Sequence, residues 1–305
     1  MENGLGDFSF DWALVQSRVS RFTRICTYDR AGYAWSDPGP MPRSYAQLNR
    51  ELSDGLAKLG EKGPFVLVGH SYGGPVVRNF AATYPTNVAG LVLVDSVFED
   101  QRVPIQGRAI RLRDGAKGTP IPPPREDMRP SDTPAGSAAA GTPHPLDALY
   151  ERLPPAEQAY HRWAQEQTAI DAAENSQREW STESLARMAA TPQDGTLGAL
   201  PLVVLMRERG GYSNKLDVPA ERLDEERKTG QAGLARLSRN SRLTVLPFGH
   251  NMHIEAPDEV AAAIGDVVRA VRDRRPIGRT ERNASVRSSG VVAGFATLPA
   301  LRKEP

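Results

Sequence analysis

The residue best suited to covalent chemistry in this 305-residue chain is Ser71, in Gly69-His70-Ser71-Tyr72-Gly73-Gly74. An apolar run at 65–68 precedes it, and Val76, Val77, Phe80, Ala81 and Tyr84 follow at helical spacing. A strand entering and a helix leaving force a sharp turn, which the flanking glycines permit and which lifts the hydroxyl out of a sheet. The first amides of the following helix, beginning at Tyr72, are then free to bind negative charge developing on a substrate oxygen. Serine attacks a carbonyl only when a base takes its proton, and imidazole suits that work near neutrality. Of the five histidines, His250 directly follows a late strand in Gly249-His250 and is the expected base, with His253 second. His70 is expected to point away from the serine and pack, while His144 and His161 fall in an insertion. No histidine stands at ligand spacing with another ligand, so no metal or other cofactor is expected.

Several elements must position these groups. Residues 24–28 read as a strand, and Ser44 with Gln47 opens a helix whose Leu48, Leu52, Leu56 and Leu59 form a stripe ending at Gly60. Residues 88–94 are apolar throughout and end at Asp95; such a run implies a strand covered on both faces, hence a parallel sheet alternating with helices. The expected fold class is α/β, mostly parallel and doubly wound. Further strands fall at 202–206 and 243–246, and a last helix starts at Pro257 with Val260, Ile264, Val267, Val268 and Val271 on one side. About a hundred residues separate Asp95 from the strand at 202, too many for a simple connection. Four parts are expected: a core from 1–99 and 196–274, a partly disordered segment at 100–145 rich in Pro, Gly, Ala and Ser, a helical cap at 146–195, and a basic disordered tail at 275–305.

Composition excludes several function classes. Lys plus Arg (38) nearly balances Asp plus Glu (37), so no global field selects nucleic acid. No apolar stretch is long enough to span a membrane, and the opening Met1-Glu2-Asn3-Gly4 lacks the pattern of a signal peptide, so a cytoplasmic product is expected. The single cysteine, Cys26, lies in an apolar run and reads as a buried small hydrophobe. The sequence leaves the oligomeric state open.

The combination resembles the α/β-hydrolase superfamily, specifically its capped, esterase-like and peptidase-like members. The resemblance runs from about Asn3 to Val271 without most of the insertion. It rests on the serine turn, on Asp29-Arg30-Ala31-Gly32 with Ala34 where a second glycine is common, and on Gly249-His250 followed by Glu255 and Pro257. It implies that Trp163 and Trp180 of the cap are candidates for an apolar substrate wall. It also implies an acid to orient His250. The usual place, after the strand at 202–206, holds Arg207-Glu208 and no aspartate; Glu208 is therefore one candidate and Asp217 a remoter one. Some members place the acid after the strand that follows the serine helix, where Asp95 stands, and Asp95 is preferred. Asn3-Gly4-Leu5 resembles the family's oxyanion loop, which would make the Leu5 amide the partner of Tyr72.

In the superfamily that loop follows a strand lying beside the serine strand, with two more before it. This chain starts after all three, so the runs at 24–28 and 65–68 are expected to face a gap with unpaired backbone groups. The chain is accordingly expected to be N-terminally truncated relative to an active ancestor. The expected activity is cleavage of a small carboxylic ester or related acyl substrate through an acyl-serine. The alternatives are a proline-iminopeptidase-like aminopeptidase or a non-catalytic relative that binds an apolar ligand. A serine at the nucleophile position speaks against relatives that use aspartate there, the epoxide hydrolases and haloalkane dehalogenases.

Overall fold

The computed structural model describes residues 1–105, 108–114, 148–167, 169–213 and 215–277. The strands are β1 (Phe65–His70), β2 (Val88–Val94), β3 (Arg102–Ile105), β4 (Arg108–Arg111), β5 (Leu202–Arg207) and β6 (Ser241–Leu246). Strands β1, β2, β5 and β6 form one sheet in that order, every neighbouring pair parallel. Strands β3 and β4 form a separate antiparallel hairpin at the start of the insertion, where no strand is expected from the sequence.

The apolar run of β2 is buried on both sides because alternate residues serve different cores. Val92 and Val94 face one layer with α1 (Ala13–Val19) and α8 (Pro257–Asp273), packing among Trp12, Val15, Ile264 and Val267. Leu91 and Leu93 face the other, against Val77 and Phe80 of α3 (Gly73–Thr83) and Leu234 of α6 (Ala220–Arg236). All four β2 side chains are fully buried, each worth about 1.5–3 kcal/mol of transfer free energy. Helix α2 (Tyr45–Lys58) packs on α3, with Ser44 accepting the Gln47 amide at its start.

The parallel register brings the chemistry together. His70 pairs with Val94, and Val94 with Leu205. Ser71 and Asp95 therefore follow at the same level at the carboxyl ends of adjacent strands, with Arg207 ending the next strand beside Asp95, where ligands of open α/β sheets bind.

Two expectations fail on the outer side of β1. Residues 24–28 form no strand and meet Met1–Asn3 through single bonds only. Glu2 bridges Gly69, donating to the Val68 carbonyl at 2.7 Å and accepting from the His70 amide at 3.1 Å. On its other side the Met1 ammonium donates to the Cys26 carbonyl at 2.7 Å and Asn3 Nδ2 to the Tyr28 carbonyl at 3.1 Å. These are isolated bonds rather than a ladder. Past Met1, residues 24–28 and β1 flank a cavity of about 500 Å³ lined by Ile25, Leu56, Val66 and Leu67. Cys26 opens onto it and is exposed, not buried, since no ladder covers that flank.

The helices expected in the insertion are α4 (Pro155–Gln165) and α5 (Ala169–Ala189). His161 Nδ1 of α4 lies 2.8 Å from Asp11 Oδ1, both buried. Helix α5 crosses above the serine turn: Ser176 Oγ accepts the Arg43 amide at 3.0 Å, and Leu185 packs with Tyr45, Tyr72 and Val97. Short helix α7 (Met252–Glu255) leads into α8. Residues 106–107 and 115–145 of the expected disordered segment, with His144, 146–147 of the expected cap and 278–305 of the expected tail lie outside the described residues.

Candidate active site

Ser71 occupies the turn between β1 and α3 with φ +50°, a left-handed conformation that costs a side-chain-bearing residue roughly 1–2 kcal/mol. Three main-chain bonds hold it there. The Ser71 amide donates to the Val94 carbonyl at 3.0 Å, and its carbonyl accepts from Gly74 at 3.1 Å and Val97 at 2.9 Å. A Cβ at Gly69 would lie 2.5 Å from the Gly73 carbonyl oxygen, and one at Gly73 would strike the Glu2 carbonyl. The turn therefore closes only with glycine at both positions.

The hydroxyl points to the loop after β6. Ser71 Oγ lies 2.9 Å from His250 Nε2, and His250 Nδ1 lies 2.6 Å from Asp95 Oδ2. That loop is fixed by Glu255, whose Oε2 accepts the Gly249 amide at 2.8 Å, which accounts for the spacing of Gly249-His250 and Glu255. Asp95 ends β2 with φ +38° and donates its amide to the Leu205 carbonyl at 2.8 Å. Its carboxylate also meets Arg207, accepting that residue's amide at 3.3 Å through Oδ1 and pairing with Nε at 3.3 Å through Oδ2. The structure thus brings Ser71, His250 and Asp95 together.

It does not bring Glu208 or Asp217. Glu208 is exposed, one residue past the end of β5, and His250 Nδ1 already bonds Asp95. Asp217 instead accepts the Ala109 amide of the hairpin at 2.6 Å. His253, the second candidate base, is buried behind His250 against the Trp12 ring, with centroids 4.8 Å apart.

The loop 3–5 is anchored from below by Arg30, which is fully buried. Its Nη1 donates to Glu2 Oε1 at 3.1 Å and to the Asn3 carbonyl at 3.0 Å, and its Nη2 donates to the Gly4 carbonyl. The guanidinium also lies 5.1 Å from the centroid of the Tyr72 ring, coupling the loop to the serine turn. Leu5 packs beside Tyr72, and among the described residues neither the Leu5 nor the Tyr72 amide donates to a protein acceptor. Arg30→Ala leaves the Glu2 carboxylate, which is 1% exposed, without its cation and with the Tyr28 hydroxyl as its side-chain donor, and should cost about 3–5 kcal/mol. The drop should appear as a lower urea midpoint with an unchanged slope.

Neither tryptophan belongs to the apolar group that holds Tyr72. Trp163 stacks on Trp35 with centroids 5.3 Å apart, in a partly exposed aromatic group with Phe10 and Tyr160. Trp180 lines a cavity of about 570 Å³ with Arg78, Arg187 and Leu197, away from Ser71 and His250. The apolar groups around Tyr72 are instead Leu5, Val97, Leu112, Leu185 and Met188.

The profile of the alpha/beta hydrolase family matches residues 3–263. The chain belongs to that family. An AB hydrolase superfamily protein of Gibberella zeae is 33% identical over 89 residues, which cover 28% of either chain. A vacuolar membrane protein of Saccharomyces cerevisiae is 36% identical over 96 residues, 31% of this chain. The matched stretch spans only 15% of the length of the latter. Among solved structures, a thermophilic esterase from Thermogutta terrifontis has a TM-score of 0.52 at 22% identity, covering 88% of each chain. The enol-lactonase of Burkholderia xenovorans has a TM-score of 0.58 at 18% identity, covering 88% of this chain and 89% of its own. At these identities the likeness is one of fold. No described helix of this alpha/beta hydrolase is long and apolar enough to cross a membrane.

The site's electrostatics follow from burial and pairing. Burial lowers the His250 pKa below the ordinary imidazole value; the bond to Asp95 works in the opposite direction, and His70 and Arg207 add to the lowering. Burial by itself would raise Asp95, but the His250 bond and Arg207 outweigh it and hold the carboxyl below its usual range. Behind His250, Asp7 Oδ2 lies 2.9 Å from His70 Nδ1, and His70 Nε2 lies 3.0 Å from the His250 carbonyl. His70 therefore does more than pack, contrary to the sequence reading. Asp7, His70 and His253 are the one buried group among the described residues with metal-ligating atoms gathered within 4.8 Å. The 2.9 Å contact between two of those atoms is closer than the roughly 3.3 Å separating adjacent ligands of a tetrahedral zinc. The group is thus arranged as a hydrogen-bonded pair. Neither Asp7 nor Arg207 carries a local sequence signal, since each acts on a residue far away in the chain.

Proposed function

We propose that this alpha/beta hydrolase is a serine hydrolase that cleaves a carboxylic ester or related acyl compound through an acyl-serine intermediate. The supporting observation is the unbroken chain Ser71 Oγ, His250, Asp95, with contacts of 2.9 and 2.6 Å. Ser71 Oγ attacks the carbonyl carbon while its proton passes to His250 Nε2. Asp95 accepts the Nδ1 proton bond and stabilises the imidazolium. The carbonyl oxygen, now negative, is held by the Leu5 and Tyr72 amides. Collapse expels the alcohol oxygen, which takes the proton from Nε2, and water then repeats the sequence on the acyl-serine. Helices α4 and α5 act as a cap, and the apolar group of Leu5, Val97, Leu112, Leu185 and Met188 favours an apolar acyl or alcohol portion on a small-molecule substrate.

The reading is tested with a fluorophosphonate probe, which reacts only with an activated serine. Labelling should follow the neutral form of His250. Because that pKa is lowered, the rate should rise with pH, reach half its plateau below pH 6.5, and be level above about pH 7.5. Folded protein that resists the probe across this range would sink the proposal.

A further inference from the structure

We propose that the cavity of about 570 Å³ lined by α2, α3 and α5 is a binding site for an aromatic carboxylate, separate from the site of Ser71. Neither Ser71 nor His250 lines it. Its polar lining consists largely of donors left without acceptors. Ser44, Tyr45 and Ala46 meet the cavity at the start of α2, where the Ser44 hydroxyl takes the Gln47 amide and the Ser44 carbonyl takes that of Leu48. The Tyr45 and Ala46 amides have no acceptor among the described residues, and a helix start carries partial positive charge that favours an anion. Two lining side chains add to this. The Tyr45 hydroxyl and Arg78 Nη1 have no hydrogen-bond partner, although the residues are only 1% and 4% exposed. Arg78 is also the charge that acts most strongly on that hydroxyl. Burying such groups unpaired is costly, and a bound anion relieves the cost.

The carboxylates nearby do not fill that role. Glu99 accepts Arg78 Nη2, which also donates to Gln193 Oε1 at 3.1 Å, and Glu183 accepts Arg187 Nη2 within α5. Each carboxylate is matched to a cation, so the groups left over are donors. With Glu99 and Glu183 close by, a singly charged head is tolerated better than a dianion. Much of the remaining lining is apolar, with Trp180 and Met188 from α5, Ala81 and Ala82 from α3, and Pro85 and Leu197. A ligand that satisfies both halves carries one anionic head on a flat apolar body, and the volume suits a small organic molecule. Tyr45 and Met188 also belong to the apolar group around Tyr72. An occupant therefore ties the cap helix to the core beside the serine turn.

The test is a titration of the whole protein with benzoate, read by quenching of tryptophan fluorescence. Quenching should saturate with a Kd of about 1 mM, in the wild type and in Ser71→Ala alike, and should vanish in Trp180→Phe. Benzamide, which has the same shape without the charge, should bind at least about tenfold more weakly, and so should inorganic phosphate, which lacks the apolar body. Tyr45→Phe separates a ligand contact from a structural one. It removes only the unpartnered hydroxyl, so benzoate should bind about tenfold more weakly while the urea midpoint does not fall. Absence of saturation by about 20 mM, equal binding of benzamide or phosphate, or quenching that survives Trp180→Phe would each overturn the proposal. A lower urea midpoint or unchanged benzoate binding in Tyr45→Phe would do the same.

Discussion

Ser71→Ala should lower turnover of an acyl ester by about a million-fold and abolish fluorophosphonate labelling. The magnitude follows from what is lost. Without Oγ no acyl-enzyme forms, His250 has no hydroxyl to activate, and the residual rate comes only from binding and the Leu5 and Tyr72 amides. The substitution leaves the backbone demand unchanged, because alanine carries the same Cβ at φ +50° and the three main-chain bonds of the turn do not involve the side chain. Circular dichroism and the urea midpoint should therefore match the parent within about 0.5 kcal/mol. A variant that keeps more than a hundredth of the activity would show that chemistry runs through another group.

Asp95→Asn should cost about ten-thousand-fold in kcat with the fold retained. The bond of 2.6 Å to His250 Nδ1 sets the tautomer, leaving Nε2 as the lone pair that receives the serine proton. An asparagine amide turned toward Nδ1 would donate to it and place the ring proton on Nε2, where it blocks the base. The neutral amide also leaves Arg207 without its partner at 3.3 Å, a second cation beside the imidazolium that must form. Asparagine tolerates the left-handed region, so the backbone at φ +38° is not an obstacle. Glu208→Gln is the control: the side chain is exposed, and its kcat should stay within twofold. A large loss in Glu208→Gln with a small one in Asp95→Asn would reassign the acid.

What could be read from the sequence was what is local or periodic. The serine turn declares itself through glycines whose absence of Cβ is a steric requirement, and the unbroken apolar run of β2 declares two covered faces. Asp95 and His250 are readable as residues following strands, though only the order and register of β1, β2, β5 and β6 put them at one edge. The pairings that tune them were not readable. Asp7 reaches His70 across 63 positions and Arg207 reaches Asp95 across 112, and a charged side chain carries no mark of a distant partner. The failed strand at 24–28 has a different cause. Its composition suits a strand, yet a strand needs a ladder, and residues 24–28 receive only single bonds from Met1 and Asn3. Cys26 is exposed against expectation for the same reason, since burial of an apolar run depends on what lies beside it. The placement of Trp163 and Trp180 depended on the orientation of α4 and α5, which helical periodicity does not determine.

Ser71 and Asp95 share a conformation that most residues avoid, at the ends of neighbouring strands. Laboratory selection for heat tolerance alone would therefore tend to replace Ser71 with glycine, relieving a penalty of roughly 1 kcal/mol, whereas at Asp95 the bonds to His250 and Arg207 oppose the change. Such survivors would melt later and do no chemistry. A thermostabilisation campaign on this protein has to hold Ser71 constant, and the return of glycine there in a stability-only screen would measure how much of the fold's free energy is committed to the site.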